Sequence, residues 1–223
     1  VLTGSRVDQI SRTGGFKTVI TQETSDGRTR HQTRETEAVI LACGFKPFDP
    51  ENKPYGYKHF ANVVTNLDLE RMLREKSVPL RPSDGDAPAR MAFVQCVGSR
   101  DAHLGHLWCS KVCCASALRM ARLIKMRRPA TEITFFYIDV QSFGQEFQRF
   151  YDDVREEVHM IRAIPGDVYR TPGDRLTVVY YDFKSEQSRE EPFDMLVLSI
   201  AITPAADACD LAAKVNLPTA SSG

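Results

Sequence analysis

Apolar and polar positions alternate along FKTVITQE (16–23), the chain turns at Asp26-Gly27, and it returns through RTRHQT (28–33). That pattern predicts a hairpin closed by a tight turn. EAVILACG (37–44) is instead a continuous apolar run ended by glycine. It predicts a buried strand running into a loop with close backbone approach. Residues 45–65 hold three prolines and many aromatic side chains and read as an ordered connection. In NLDLERMLREK (66–76), Leu67, Leu69, Met72 and Leu73 form a helical stripe, with Asn66 as the expected N-cap. SVPLRPSDGDAPAR (77–90), rich in Pro, Gly and Asp, reads as a linker.

A second series follows. MAFVQC (91–96) predicts a strand, and SKVCCASALRMARLIKMRR (110–128) a helix with Ser110 as N-cap, basic residues at its far end and Pro129 closing it. EITFFYIDV (132–140) is a strand pattern, GQEFQRFYDDVREE (144–157) a helix and VHMIRAI (158–164) a strand. DRLTVVYYDF and EPFDMLVLSI then predict two strands across a polar hairpin, and PAADACDLAAKVNLP a weakly specified helix. Strand, helix, strand, helix, strand is the order of an α/β domain with a parallel sheet.

The composition keeps the class ordinary. The chain has 223 residues, 42% hydrophobic and 26% charged, enough for one large domain or two small ones. Twenty-nine basic and 29 acidic residues give zero net charge, without the basic excess of a nucleic-acid binder. No apolar run approaches the ~20 residues of a membrane span. VLTGSRVDQIS lacks both the order of a signal peptide and an initiator Met, so the chain reads as a piece of something longer. With no export signal, a reducing cytoplasm is the expected compartment.

Four of the six cysteines, Cys96, Cys109, Cys113 and Cys114, lie within nineteen residues, spaced C-x12-C-x3-C-C. Cys96 ends a strand pattern and the vicinal pair falls in the first turn of a helix, so all four can meet at the carboxyl end of a sheet. Helix N-termini favour thiolates. Chance burial, a structural zinc site, a disulfide and an iron–sulfur cluster all remain open. Four soft ligands suit the last best, whereas zinc knuckles usually come as C-x2-4-C pairs. His103 and His106 read as solvated loop histidines, and Cys43 and Cys209 as buried small hydrophobes. Arg100-Asp101 reads as a local ion pair, and Tyr137, Phe143 and Phe147 as core. Asp152-Asp153 and Glu156-Glu157 read as a solvated helix face. No Ser/His/Asp arrangement and no HExxH is present.

FVQCVGSRD…WCSKVCCASALRMA, followed by FFYIDVQSFGQEFQRFY, resembles the flavoprotein A subunit of heterodisulfide reductase and the related subunits of quinone-interacting membrane-bound oxidoreductases. AVILACGFKPFDP and FDMLVLSIAITP fit the same family. The resemblance implies a thioredoxin-reductase-like fold in which a Rossmann-like, nucleotide-domain-like unit with a parallel sheet interrupts an FAD domain. Segments 1–88, 89–198 and 199–223 would be FAD-domain part, inserted domain and return segment. It implies an iron–sulfur cluster of the four-iron four-sulfur type, with Cys96, Cys109, Cys113 and Cys114 as metal ligands, relaying electrons to and from FAD. The implied parent is an oxidoreductase subunit working with other subunits of a redox complex, cytoplasmic or membrane-associated through them, with no nucleic acid and no span of its own.

The family's G-x-G-x-x-G for the FAD pyrophosphate is absent here. LACG makes Ala42, Cys43 and Gly44 the cofactor-binding turn, with Cys43 where related flavoproteins have threonine. In CVGSRD only Gly98 remains of a nicotinamide-binding glycine turn, so loss of NAD binding is expected. The chain by itself is expected neither to turn over a substrate nor to keep a cluster in air. A zinc- or disulfide-stapled docking module and a domain that retains NAD are the rival readings.

Overall fold

The computed structural model describes residues 1–12, 14–141 and 143–220. The chain forms two compact units, Val1–Lys46 with Thr203–Gly223, and Pro47–Ile202. In the smaller unit β1 (Ser5–Arg12), β2 (Phe16–Glu23) and β3 (Thr29–Thr36) make an antiparallel sheet in that order. The expected hairpin is β2–β3, with Phe16 opposite Thr36 and Glu23 opposite Thr29. Gly27, at φ +78°, gives the left-handed turn, and its N–H bonds Thr24 O at 2.9 Å. The short strand β4 (Phe45–Pro47) pairs with a late strand, Ile202–Pro204.

The larger unit alternates strand and helix: β5 (Val63–Thr65), α1 (Asn66–Lys76), β6 (Arg90–Val97), α2 (Cys113–Arg127), β7 (Glu132–Phe136), α3 (Phe147–Glu157) and β8 (His159–Ile161). An antiparallel meander follows, β9 (Asp167–Thr171), β10 (Arg175–Asp182) and β11 (Gln187–Phe193), and then β12 (Met195–Ile200). The chain ends through β13 (Ile202–Pro204) and α4 (Ala208–Lys214). The parallel sheet has the order β5-β12-β6-β7-β8, so β12 inserts between β5 and β6. The architecture is the α/β parallel sheet that the sequence pattern implied and the Rossmann-like unit that the family resemblance implied.

Both faces of this sheet are covered, which is why its strands read as unbroken apolar runs. Met91, Phe93, Ile133, Phe135, Met195 and Val197 pack against Leu69 and Leu73 of α1 and against α2, including Leu118 and Ile124. The rings of Phe93 and Phe135 stack at 4.7 Å. On the other face Ala92, Val94, Phe136, Leu196 and Leu198 meet Val168, Leu176, Val178 and Phe193 of the meander.

Several local expectations are corrected. Residues 37–44 form no strand, and Ile40 is 90% exposed, because no described strand pairs with this run. The N-cap of α1 is Thr65, whose hydroxyl accepts from the Asp68 N–H at 3.2 Å while the Asp68 carboxylate accepts from the Thr65 N–H at 3.0 Å. Asn66 instead accepts the Ile200 N–H at 3.0 Å, tying α1 to the end of β12. The cap of α2 is Val112, since the Ser110 hydroxyl is taken by the Ile202 N–H at 3.1 Å. Cys43 and Cys209 are exposed, not buried. Phe143 is exposed too, with Lys111 Nζ 5.5 Å from its ring.

EPFDMLVLSI is split at Asp194 between β11 and β12. The Asp194 carboxylate, 8% exposed, accepts the N–H groups of Ala89 and Arg90, each at 2.9 Å, and faces Arg175 at 3.4 Å. Arg90 in turn bonds Glu132 at 3.0 Å and Pro192 O at 2.8 Å, and covers the Phe193 ring. These contacts latch the amino end of β6 to the start of β12. Asp194→Ala removes a charged acceptor from two N–H groups, so it is expected to cost roughly 1.5–3 kcal/mol in urea unfolding, with Asp194→Asn recovering part. An unchanged midpoint in Asp194→Ala would show that the latch contributes nothing.

Candidate metal centre at the carboxyl end of the sheet

The parallel pairing of β6 with β12 runs in register to Val94 opposite Leu198, and resumes at Val97 opposite Ile200. Two residues, Gln95 and Cys96, therefore stand opposite Ser199 alone. This is a β-bulge, a device that re-aims side chains at the end of a strand. Cys96 takes the left-handed φ of +62°, rare for a residue with a side chain.

The chain then turns at Gly98, φ +86°. A Cβ built there would lie 2.2 Å from Phe48 Cδ1, so the aromatic ring lies directly on the turn. His106, read from sequence as solvated, bonds Gly98 O through Nδ1 at 2.7 Å, and its ring contacts Trp108 at 4.5 Å. The loop is closed by Arg100 N–H to Trp108 O at 3.0 Å and Asp101 N–H to His106 O at 2.9 Å. The Arg100-Asp101 ion pair does not form. Arg100 pairs with Asp139 at 2.5 Å, and Asp101 with Lys53. Each acid finds a cation from another segment because the tight turn separates the neighbouring side chains.

The loop delivers Cys109, half-buried, whose sulfur accepts the Lys111 N–H at 3.3 Å. Helix α2 opens on Cys113 and Cys114, both buried. The Cys113 thiol points to Ile200 O at 3.9 Å and the Cys114 thiol to Asp139 O at 4.0 Å. Val112 offers no side-chain bond to the first turn, which leaves its N–H groups and positive dipole end to the vicinal pair.

All four thiols lie within one electrostatic neighbourhood. Burial pushes the Cys96 thiol up to about 12, helped by Cys114, Cys113 and Cys109 and opposed by Arg100. Burial and then Cys114 push Cys113 up to about 11, against the Ser110 hydrogen bond. Cys114 is also raised by burial, against the Gln141 backbone and Arg100. The Arg100 hydrogen bond holds Asp139 below the usual carboxylate range. Without a cation, these buried sulfurs are protonated at neutral pH.

Three buried polar atoms flank Cys96 without a partner: Gln95 Nε2, Gln95 Oε1 and Ser199 Oγ. A buried polar group left unpaired costs about 1–3 kcal/mol. Among the described residues, no three His, Cys, Asp or Glu side chains stand in ion-holding geometry. The fit to a metal group is thus one of donor chemistry, four soft sulfur ligands at one sheet end beside unpaired hydrogen-bond donors. Sequence reasoning passed over Gln95 and Ser199, although a polar residue inside MAFVQC and MLVLSI was the available signal. It also missed Asp139 and Phe48, whose roles depend on partners remote in sequence. The residues of the expected flavin turn, Ala42, Cys43 and Gly44, lie exposed in the smaller unit, outside any strand. They are not in the compact unit that holds the four thiols and Gly98.

No family model matches the chain. The A subunit of the H2:CoB-CoM heterodisulfide,ferredoxin reductase of Methanothermobacter marburgensis is 38% identical over 196 residues, covering 85% of this chain and 30% of that protein. An iron-sulfur A subunit of the CoB-CoM heterodisulfide reductase of Methanopyrus kandleri, the second so named, is 36% identical over 189 residues, covering 81% and 29%. Among solved structures, the T. acidophilum thioredoxin reductase aligns with a TM-score of 0.45 at 13% identity, over 92% of this chain and 54% of that one. The chain is a homologue of the heterodisulfide reductase A subunits, and it spans about 30% of the length of the curated relatives it matches. No described helix is long and apolar enough to cross a membrane.

The thiol environment sets a pH dependence. Folded Cys96 and Cys113 hold their protons to about 12 and about 11, against 9.0 for an ordinary thiol. The folded state then binds more protons than the unfolded one above that ordinary value, so stability falls as pH rises. In the metal-free, reduced chain the contribution of these two thiols to stability is expected to be fully present below about pH 9 and to be lost progressively toward about pH 12. The loss shrinks in Cys96→Ser, as read by urea unfolding at stepped pH. An equally steep loss in the serine variant would refute the assignment.

Proposed function

We propose that this chain is the part of a heterodisulfide-reductase-type flavoprotein subunit that holds an iron–sulfur cluster on Cys96, Cys109, Cys113 and Cys114. The observation that carries this reading is the gathering of four thiols at one end of a parallel sheet, presented by three separate local devices. The β6 bulge presents Cys96, the Gly98–Ser110 loop presents Cys109, and the first turn of α2 presents Cys113 and Cys114. A relative bearing the name iron-sulfur subunit supports it. So does the mismatch between buried, protonated thiols and their surroundings, which binding of a cation relieves by displacing the protons.

The cluster, of the four-iron four-sulfur type, supplies one-electron redox chemistry when bound. The residues of this chain exclude water from it and set its charge. Cys113 and Cys114 are buried, the α2 N-terminus offers positive potential, and Arg100, anchored by Asp139, adds a fixed cation near Cys96. In the whole protein such a centre would exchange electrons with FAD, and Ala42, Cys43 and Gly44 would form part of the turn that holds the flavin. The segments 1–88 and 199–223 belong to the FAD domain and 89–198 to the inserted one. Other subunits of a redox complex are the exchange partners.

NAD has no place in this proposal. A nicotinamide cofactor needs an open glycine turn for its pyrophosphate. The Gly98 turn lies under the Phe48 ring, and its carbonyl is taken by His106.

Two measurements test the reading. Anaerobically prepared protein is expected to contain iron and acid-labile sulfide near cluster stoichiometry, both lost in the Cys113→Ser, Cys114→Ser double variant. Zinc without sulfide would replace the redox reading by a structural staple. Titration with NADH into the millimolar range is expected to leave intrinsic fluorescence and melting temperature unchanged, and micromolar affinity would restore the nucleotide-binding rival.

A further inference from the structure

Gln95 and Ser199 are out of place in their own strands. Each interrupts an apolar run in the middle of the sheet, with Gln95 5% exposed and Ser199 fully buried. Their register brings them together across the bulge, where both Gln95 and Cys96 face Ser199 from the neighbouring strand. Gln95 and Cys96 also line the same cavity of about 240 Å³ at the sheet end. Neither Gln95 amide atom nor the Ser199 hydroxyl has a partner within the protein. Buried polar groups ordinarily have one, so the Gln95 Nε2 amide and the Ser199 hydroxyl, both donors, mark the place of an acceptor that the protein itself does not supply.

We propose that Gln95 and Ser199 are positioning residues for the sulfur centre, donating N–H and O–H hydrogen bonds to its thiolate or sulfide sulfurs and raising its reduction potential. This rests on the cluster reading of the four cysteines. The chemistry follows from charge. Taking up one electron adds one negative charge to the centre, and that charge is spread over sulfur. Donors fixed beside the sulfurs stabilise the reduced form more than the oxidised form, and hydrogen bonds to the sulfurs are an established determinant of cluster potential. The bulge explains the placement. One extra residue in β6 puts an amide directly beside the ligand Cys96, without lengthening any loop.

The test uses the full chain loaded anaerobically with iron and sulfide, in Gln95→Leu, Ser199→Ala and the double variant, with Ser199→Thr as the hydroxyl-retaining control. Iron and sulfide per chain are expected to stay at the wild-type level. The midpoint potential, read by dithionite titration followed by electron paramagnetic resonance, is expected to move negative in each single variant and further in the double. Ser199→Thr should stay near wild type. Loaded variants with an unchanged midpoint overturn the proposal while leaving the cluster reading intact. A wild-type chain that binds no iron removes both. If Gln95→Leu fails to load, Ser199→Ala against Ser199→Thr decides. A merely structural pair would behave differently: the metal-free variants would melt higher as unpaired polar atoms are removed, with no shift in potential.

Discussion

The parallel register between β6 and β12 holds through Val94 and Leu198 and then slips by one residue. The site is arranged around that slip. In register, β6 would continue its strict alternation between the helix-facing core and the meander-facing core. With one residue too many, Cys96 takes a left-handed conformation, Gln95 and Ser199 are brought face to face, and the chain leaves the sheet for the Gly98 turn. The apolar packing on both sides of β6 is strong enough to hold this irregularity. Phe93 and Val94, the residues just before it, are at most 1% exposed.

The site joins two opposed tendencies. Burial disfavours thiolates and pushes the Cys96, Cys113 and Cys114 thiols above their ordinary range. The α2 N-terminus and Arg100 favour them. Burial prevails in the metal-free chain, where Cys96, Cys113 and Cys114 are all raised. Asp139 belongs to the same balance. By pairing with Arg100 it fixes the guanidinium near the sulfurs and offsets part of its charge.

Much of this was legible in the sequence. The strand–helix alternation of the larger unit, its parallel sheet and the first-turn position of Cys113 and Cys114 follow from hydrophobic period and from cysteine spacing. What failed did so for identifiable reasons. EAVILACG has the composition of a buried strand, but composition does not supply a neighbour, and the run lies exposed. Ser110 and Asn66 look like caps because their side chains suit helix ends, yet both are engaged by backbone N–H groups remote in sequence, Ile202 at the start of β13 and Ile200 at the end of β12. The β9 strand was passed over because DVYRT carries only one fully buried side chain, Val168. The bulge has no local signature. It is visible only when β6 is laid against β12, strands separated by nearly a hundred residues of chain.

The latch at the amino end of β6 divides the strand between two tasks. Arg90 and Asp194 secure the strand at the end away from the thiols. The one-residue slip lies at the opposite end, beyond Val94, where Cys96 and Gly98 carry the chain out of the sheet in left-handed conformations. Regular pairing and irregular presentation of side chains therefore occupy opposite ends of one strand.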